Sequence, residues 1–487
     1  MKPFFYEWKI ITTFASFLLI SSSLSDPLYD NNVDREAAAA TFMSYMENKG
    51  YLVDKGEFQF WSPEDCEEEG GLNCFGNNPD SPYGVYTFHN DFEGEYTRDL
   101  NLDIERRLRI DEAVVFFGLT PPLAKYFGFT HYLGRRINKI RAGSKRKSAS
   151  LSDAINPMNI KVTGDGSYEA SFNSDVCIVT TGDQNMFKAV KEGMQYAGVP
   201  PEVMNLQVLS SDTLNLGNDR TRDSITWLHR IMRFIDKDAG NAYMENPPVH
   251  LFRVSPKVPV DRALVVPYPM PDRMNRATGV GEIDLRSSVQ GLEAVLRRLF
   301  HLRADISLFQ AKSKPTATQG EQCLEDNANC KRDNPDAAYF ANLPGYTLGQ
   351  NDVFIIYGIN HVKTGYAKYM SVTLYGLNGI AFASLNSEDD MEGTAAKFIP
   401  NSPNVDKLFA FVMARDCKSY ANCVRIPYAG SKGLPPWVPP LMLSRNILNP
   451  QTGTGADFEE LVPTRLMFAK LPRIAPLYKN KTKNGEE

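Results

Sequence analysis

The sequence predicts an α/β fold with a mostly parallel sheet core covered by helices, followed by a β-rich C-terminal half that contains an antiparallel hairpin. Between residues 113 and 310, apolar runs of strand length alternate with helical patterns. Most of these runs are apolar throughout, as strands are when helices cover both faces of a sheet. Beyond residue 350, β-branched and aromatic residues predominate and helical patterns are few.

Short apolar runs bounded by polar sequence are the predicted strands of the core. They are residues 113–119, 176–180, 206–210, 249–254 and 306–310. The segment 176–210 contains a strand, a helical pattern and a second strand, so it predicts a βαβ unit.

Three stretches between or after these strands carry apolar residues at helical spacing. The first runs from Phe187 to Ala197 and is ended by Gly198 and two prolines. The second and third stripes are Ile225, Leu228, Met232 and Ile235, and Leu285, Val289, Leu292, Leu296 and Leu299. Each stripe predicts an amphipathic helix that packs on the sheet.

The C-terminal half contains predicted strands in residues 352–361, 369–385 and 407–417. Within the second, Leu377-Asn378-Gly379-Ile380 predicts a hairpin, because Asn and Gly tolerate the positive φ of a type I′ turn. The predicted divisions of the chain are a signal peptide (1–25), an N-terminal segment with a disulfide loop (26–112), an α/β core (113–315), a disulfide-bearing connection (316–350), a β-rich region (351–475) and a polar tail (476–487) with a glycosylation sequon at Asn480.

The N-terminus predicts export through the secretory pathway. Two lysines precede the apolar run 10–20, and Ser23 and Ser25 provide the small residues of a cleavage site before Asp26. The run is too short to cross a bilayer core of about 30 Å. A retained signal anchor is the alternative. With the signal removed, we expect no stable membrane span and a secreted or lumenal protein.

Six of the seven cysteines form close pairs in polar, turn-rich sequence. The pairs are Cys66 with Cys74, Cys323 with Cys330, and Cys417 with Cys423. Their spacing is wider than that of zinc-binding pairs, so they predict short disulfide loops rather than a metal site. Cys177 lies within an apolar run and predicts a buried thiol.

Composition limits the classes of partner. A net charge of −5 gives no reason to expect nucleic acid. The basic segment 135–147 has no aromatic residues for base stacking and predicts a solvated loop. Dinucleotide, Walker and zinc-protease motifs are absent, so we expect no cofactor and no metal. The expected partner is a small-molecule ligand.

The first set of candidate site residues lies at predicted strand ends, where open α/β sheets bind ligands. Thr180, Thr181 and Gly182 provide hydroxyl and main-chain N–H groups for a ligand. Asp183 follows them and either takes part in catalysis or caps the next helix. Arg253 lies near the end of another strand and needs an acidic partner if it is buried.

The second set surrounds His361, whose ordinary pKa near neutrality suits a general base. Tyr357 and Asn360 precede it at a strand end and are candidate ligand-binding residues. Glu282 and Asp284 precede the third predicted helix. They either stabilise its N-terminus or act chemically, with Glu282 in ligand binding and Asp284 in catalysis.

The predicted function is binding, with or without processing, of a small polar or anionic ligand at the strand-end rim. One alternative is a hydrolase that uses His361 with a carboxylate such as Asp183 or Asp284. The other is a noncatalytic extracellular structural or interaction protein, in which 31 prolines and 22 tyrosines are loop and interface material. No motif decides between an enzyme and a binding protein.

Overall fold

A computed structural model describes residues 34–61, 78–88, 104–137, 144–219, 221–301, 309–312, 314–315, 320–325, 328–376, 379, 381–417, 420–430 and 432–470. The expected signal peptide, the pair Cys66 and Cys74, three hairpin residues (Leu377, Asn378 and Ile380) and the sequon at Asn480 lie outside these residues. Within them, no helix is long and apolar enough to cross a membrane.

Strands outnumber helices in the described residues. The helices are α1 (Arg35–Asn48), α2 (Gln184–Tyr196), α3 (Lys237–Glu245), α4 (Arg286–His301) and α5 (Gly320–Glu325). The strands are β1 (Tyr51–Trp61), β2 (Tyr83–Phe88), β3 (Glu105–Arg106), β4 (Ala113–Leu119), β5 (Ala124–Ile137), β6 (Ser144–Ser150), β7 (Asp175–Thr181), β8 (Met204–Val208), β9 (Ser224–Phe234), β10 (Val249–Pro256), β11 (Phe309–Lys312), β12 (Lys314–Pro315), β13 (Ala337–Asn342), β14 (Asp352–Ile359), β15 (Tyr369–Tyr375), β16 (Ala381–Asn386), β17 (Leu408–Ala414), β18 (Cys423–Arg425), β19 (Leu441–Ile447) and β20 (Arg465–Lys470).

The large sheet is mainly antiparallel, so the prediction of a mostly parallel core covered by helices is wrong. Its strand order is β6-β5-β9-β2-β1-β10-β4-β7-β8, with β3 beside β9. Among its described strands, only β7 and β8 run parallel, and the other neighbours are antiparallel. A continuous apolar run indicates that both faces of a strand are covered, but it carries no information about the direction of the neighbouring strand.

The large sheet curls until strands that are distant in its order touch. Phe116 on β4 and Phe129 on β5 have ring centroids 5.0 Å apart, although β9, β2, β1 and β10 lie between their strands. Near the two ends of the sheet, Nε2 of His131 on β5 lies 2.9 Å from the carbonyl oxygen of Val208 on β8. The inner face is therefore an enclosed core of aliphatic and aromatic side chains.

Helices α1 and α2 cover the opposite face of the large sheet. They approach closely at Gly193, where a Cβ would lie 2.9 Å from Sδ of Met46. Val115 on β4 and Cys177 on β7 are buried beneath them. The βαβ unit predicted over residues 176–210 is confirmed as β7, α2 and β8.

The predicted helix through Ile225 and Met232 is wrong, because these residues belong to β9. This strand pairs antiparallel with β5 along most of its length, and its first nine residues are buried. Trp227 is oriented into the curled sheet, where its Nε1 donates to Oγ1 of Thr180 at 3.0 Å. Because both faces of β9 are covered, its sequence does not alternate between apolar and polar residues. Its apolar residues are so frequent that some of them fall by chance at the spacing of an amphipathic helix.

The C-terminal part consists of two facing sheets. One has the order β11-β20-β14-β17-β18, and the other has β12-β13-β19-β15-β16. Ile356, Val372 and Phe411 pack between them, while α4 covers the outer face of the first sheet. The predicted helix from Leu285 to Leu299 is confirmed as α4, and the strands that flank the predicted hairpin, β15 and β16, pair antiparallel.

Two of the predicted disulfides are confirmed, Cys323 with Cys330 and Cys417 with Cys423. Cys177 is a free, buried cysteine, and its burial raises the pKa of the thiol. The thiol is therefore in its unreactive, protonated form at neutral pH.

The basic segment 135–147 is only partly a loop, contrary to expectation. Its first residues belong to β5 and its last to β6, which pair antiparallel. Arg136 forms an ion pair with Asp223 at 2.7 Å, so at least this charge serves the fold.

Residues 257–281 form an irregular connection between β10 and α4, which we call the strap. Its prolines fix φ and lack N–H donors, so the strap forms no continuous strand and pairs only through an isolated bridge between Asp183 and Pro267. It crosses the end of β7, where the main-chain N–H of Tyr268 donates to the carbonyl oxygen of Gly182 at 3.1 Å. Farther along, Nη2 of Arg273 donates to the carbonyl oxygen of Ser150 at 2.8 Å.

Candidate functional site

The predicted rim residues at the end of β7 are held in internal contacts. Oγ1 of Thr180 donates to Oε1 of Gln207 at 2.9 Å, and Oγ1 of Thr181 donates to the carbonyl oxygen of Glu112 at 2.8 Å. A Cβ on Gly182 would lie 2.8 Å from the carbonyl oxygen of Leu209. These contacts tie β7 to its neighbours.

Asp183 caps α2 and also fastens the strap. Its Oδ1 accepts from the main-chain N–H of Asn185 at 3.1 Å and from that of Val266 at 3.0 Å. The strap therefore covers the strand end that the sequence suggested as an open ligand rim. Since β7 and β8 are the one described parallel pair of a mainly antiparallel sheet, the strand-end argument for a ligand site there is weaker than the sequence suggested.

Arg253 has the acidic partner that its burial requires. Its Nη2 lies 3.1 Å from Oε1 of Glu112, which is fully buried. Oγ of Ser255 donates to the same carboxylate oxygen at 2.8 Å. This cluster joins β10 to the start of β4 and needs no ligand to balance its charges.

His361 and Glu282 meet in the C-terminal part. Nδ1 of His361 lies 2.8 Å from Oε1 of Glu282, and the histidine side chain has no exposed surface. Glu282 also accepts from Oγ1 of Thr364 at 2.5 Å and from the main-chain N–H of Val462 at 3.0 Å. Burial raises the pKa of Glu282, but the His361 charge and these hydrogen bonds outweigh it, so the pKa lies below its ordinary value.

The other candidates near His361 have separate contacts. Nδ2 of Asn360 donates to the carbonyl oxygen of Ser387 at 3.0 Å. Tyr357 is buried, and its burial together with the nearby Glu293 carboxylate raises its pKa. Asp284 is exposed in the short turn that precedes α4, so the carboxylate that reaches His361 is Glu282.

A cleft lies where the strap meets the large sheet and the C-terminal part. Its cavity volume is about 40 Å³, and its mouth is open to solvent. Its charged and hydrogen-bonding side chains include Ser150, Asp153, Arg273, Arg276, Asp333 and Asn334. No candidate chosen from the sequence is among its lining residues.

The strap supplies both guanidinium groups of the cleft. Arg273 donates to Ser150 and lies 3.9 Å from Oδ1 of Asp153. Arg276 donates to the main-chain carbonyl oxygens of Pro335 at 3.1 Å and Ala337 at 2.5 Å. Carbonyl groups fix the orientation of Arg276 without neutralising its charge.

Two carboxyl groups complete the charged lining. Asp333 accepts from the main-chain N–H and the Oγ of Ser150 at 2.8 and 2.7 Å, while Oδ2 of Asp153 accepts from the main-chain N–H of Met274 at 2.6 Å. Burial raises the pKa of both carboxyl groups above the ordinary value. Each therefore takes up a proton more readily than a carboxyl in water.

Two further features shape the cleft. Nδ2 of Asn334 is buried and has no hydrogen-bond partner among the described residues, and Asn334 is one of the residues that line the cavity. Gly455 makes room for Arg276, because a Cβ there would lie 2.4 Å from its Nη2. The residues that the structure describes contain no group of three or more His, Cys, Asp or Glu side chains suited to a metal ion.

Sequence reasoning missed the cleft because most of its lining residues come from irregular segments. The two arginines lie three residues apart in "PDRMNRATG", and Asp333 and Asn334 lie in "RDNPDAAY". Neither stretch has the periodicity of a helix or strand. The available signal was the combination of charge and proline in a long segment without regular structure.

Comparison with known proteins yields structures with distant similarity. No family model matches the chain, and no curated protein matches it. A crystal structure of an uncharacterised protein from Burkholderia cenocepacia is similar at 13% identity and a TM-score of 0.39, covering 93% of this chain and 92% of that one. The VPA0106 protein from Vibrio parahaemolyticus is similar at 11% identity and a TM-score of 0.36, covering 90% of this chain and 99% of that one.

Proposed function

We propose that this is a protein of an oxidising compartment that binds a small polar ligand with an anionic group in the cleft. The two disulfides support the compartment, because such bonds persist where thiols are not kept reduced. The apolar N-terminal run supports entry into the secretory pathway.

The observation that carries the ligand proposal is the convergence of Arg273 and Arg276 on one cavity. Guanidinium groups match carboxylate and phosphate oxygens in geometry and charge. The amide of Asn334 adds a buried donor without a partner among the described residues. Asp153 provides an acceptor for a hydroxyl or ammonium group of the same ligand.

A ligand screen by thermal shift tests the proposal. The panel contains sulfate, phosphate, small hydroxycarboxylates, amino acids and neutral sugars. We expect at least one anion to raise the melting temperature of the wild type, since a ligand at 100 times its Kd adds about 2.7 kcal/mol. Arg273→Ala should abolish that shift. Arg262→Ala, which removes an exposed arginine of the same strap, is the matched control and should retain it.

Two results would contradict this proposal. If only the neutral sugars of the panel raised the melting temperature, the proposal that the ligand carries an anionic group would be wrong. An anion whose effect survives Arg273→Ala would bind elsewhere.

The His361–Glu282 pair is the observation that favours a hydrolase. A general base needs such an orienting carboxylate, but it must also reach a substrate. Nε2 of His361 is buried and has no hydrogen-bond partner among the residues described. A hydrolase would have to uncover this atom during its cycle, so the cleft has the stronger support.

A further inference from the structure

Asp336 lies behind the wall of the cleft and is fully buried. It follows the lining residues Asn334 and Pro335, and its main-chain N–H donates to Oδ1 of Asn334 at 3.1 Å. Arg276 donates to the carbonyl oxygens of the residues on both sides of Asp336. The Asp336 carboxyl and the cleft guanidinium therefore share one short stretch of backbone.

The hydrogen bonds of this carboxyl are incomplete. Its Oδ2 accepts from the hydroxyl of Tyr126 at 2.9 Å and from Nδ2 of Asn156 at 2.9 Å. Its Oδ1 is buried and has no partner among the described residues. An ionised carboxylate in this position would leave part of its charge without hydrogen bonds, whereas the protonated acid is neutral.

The charged and titratable groups that interact with Asp336 are Tyr126, Tyr168, Asp153 and Arg276. Burial raises the pKa of Asp336 to about 7, and the Asp153 charge acts in the same direction. The hydrogen bonds from Asn156 and Tyr126 and the charge of Arg276 act against this shift. Since both Asp153 and Arg276 line the cleft, the proton of Asp336 and the charge in the cleft influence each other.

We propose that an anion bound in the cleft is taken up together with a proton from solvent, which Asp336 holds behind the cleft wall. This inference rests on the proposed function. An anion beside Arg276 offsets the positive charge that favours ionised Asp336, so the carboxyl binds a proton more tightly. By thermodynamic reciprocity, a proton on Asp336 makes the cleft bind the anion more tightly.

Sulfate is the probe, because it stays fully ionised in the pH range of interest. Its binding to the intact chain is measured by titration calorimetry at pH 6 and pH 8, in buffers of different ionisation enthalpy. We expect proton uptake on binding, and affinity that falls by up to about tenfold between these pH values if only the protonated form binds. Asp336→Asn should bind sulfate without proton uptake and equally at both pH values.

Asp457→Asn is the matched control, because the Asp457 charge also acts on Arg276 and this residue is not among the cleft lining. This variant should keep the wild-type pH dependence. Equal sulfate affinity at both pH values, without proton uptake, would overturn the inference and leave the proposed function standing. A pH dependence of sulfate binding that persists in Asp336→Asn would assign the proton to another group. That result would also overturn the inference.

Two further outcomes separate the remaining possibilities. Failure of the wild type to bind sulfate or any other anion at either pH would overturn the proposed function and the inference with it. Should Asp336→Asn fail to fold, infrared difference spectra of the wild type between pH 6 and pH 8 decide the matter. Loss of a protonated-carboxyl band on raising the pH, with a midpoint that sulfate shifts upward, supports the inference. Absence of the band or of the sulfate-induced shift overturns it.

Discussion

Replacing Glu282 with alanine should lower the free energy of unfolding by about 3–5 kcal/mol, the usual cost of breaking a buried charged pair from one side. The Glu282 carboxylate accepts from Thr364 and Val462 and lies against Nδ1 of His361. Alanine leaves these donors without an acceptor, and each unpaired buried donor costs on the order of 1–3 kcal/mol. Relaxation and entry of water keep the total below the sum of these costs.

Glu282→Gln separates the loss of charge from the loss of hydrogen bonds. The amide oxygen still accepts a hydrogen bond, so we expect a smaller cost of about 1.5–3 kcal/mol. Asp284→Ala is the matched control, because this carboxylate is two residues away and exposed. It should change stability by less than about 0.5 kcal/mol.

The pH dependence of the Glu282 variants follows from its lowered pKa. A carboxyl whose pKa is lower in the folded state stabilises the fold at pH values above its unfolded pKa. That contribution is lost as the pH falls through the folded pKa. The stability difference between wild type and Glu282→Gln should therefore shrink as the pH is lowered from about 6 to about 3.

Urea unfolding at neutral pH, followed by tryptophan fluorescence and far-UV circular dichroism, measures these differences. The reasoning is refuted if Glu282→Ala and Asp284→Ala have the same unfolding free energy at equal m-values. It is also refuted if the wild-type advantage over Glu282→Gln grows on acidification.

Two other predictions concern the cleft and the core. Gly455→Ala should destabilise the fold and weaken anion binding, because the new Cβ would lie 2.4 Å from Nη2 of Arg276. Gly291→Ala in α4 adds a Cβ with no atom within 4 Å and should instead stabilise the fold by about 0.5–1 kcal/mol. Urea unfolding of the two variants measures both changes in stability. Cys177 should resist iodoacetamide in the native protein at pH 8 and react after denaturation, since it is buried with a raised pKa; mass spectrometry of the labelled chain detects this, and rapid native labelling would contradict the buried position.

The sequence was sufficient to locate several elements because their signals are local. The runs 113–119 and 176–180 correspond to β4 and β7, and the stripe from Leu285 corresponds to α4. The close cysteine pairs likewise require only short loops. Strand direction is different, because it depends on which strands become neighbours. β4 pairs with β10 and β7, and no local pattern contains that choice.

Predicting the candidate site from the sequence was harder than predicting strand direction, because its residues come together only through nonlocal contacts. Glu282 and His361 are separated by 79 positions and meet only in the folded chain. Both residues were candidates because each lies near the end of a predicted helix or strand, but nothing in the sequence indicated that they pair. For Arg276 and Asp336 the sequence offered only charge and proline in irregular segments, and it gave no sign that the two residues lie together. Their significance arises from burial and from hydrogen bonds between those segments.

The strap explains why the end of β7 is covered in the structure that contains the cleft. Its first part covers the end of β7, where Val266 donates to Asp183 and Tyr268 donates to Gly182. These contacts engage Asp183 and Gly182, two of the residues that the sequence offered to a ligand. They also anchor the strap a few residues before Arg273 and Arg276, the two arginines that line the cleft. A strap released from β7 would expose the rim and lose one anchor of the segment that carries both guanidinium groups, so the proposed anion site depends on a closed rim.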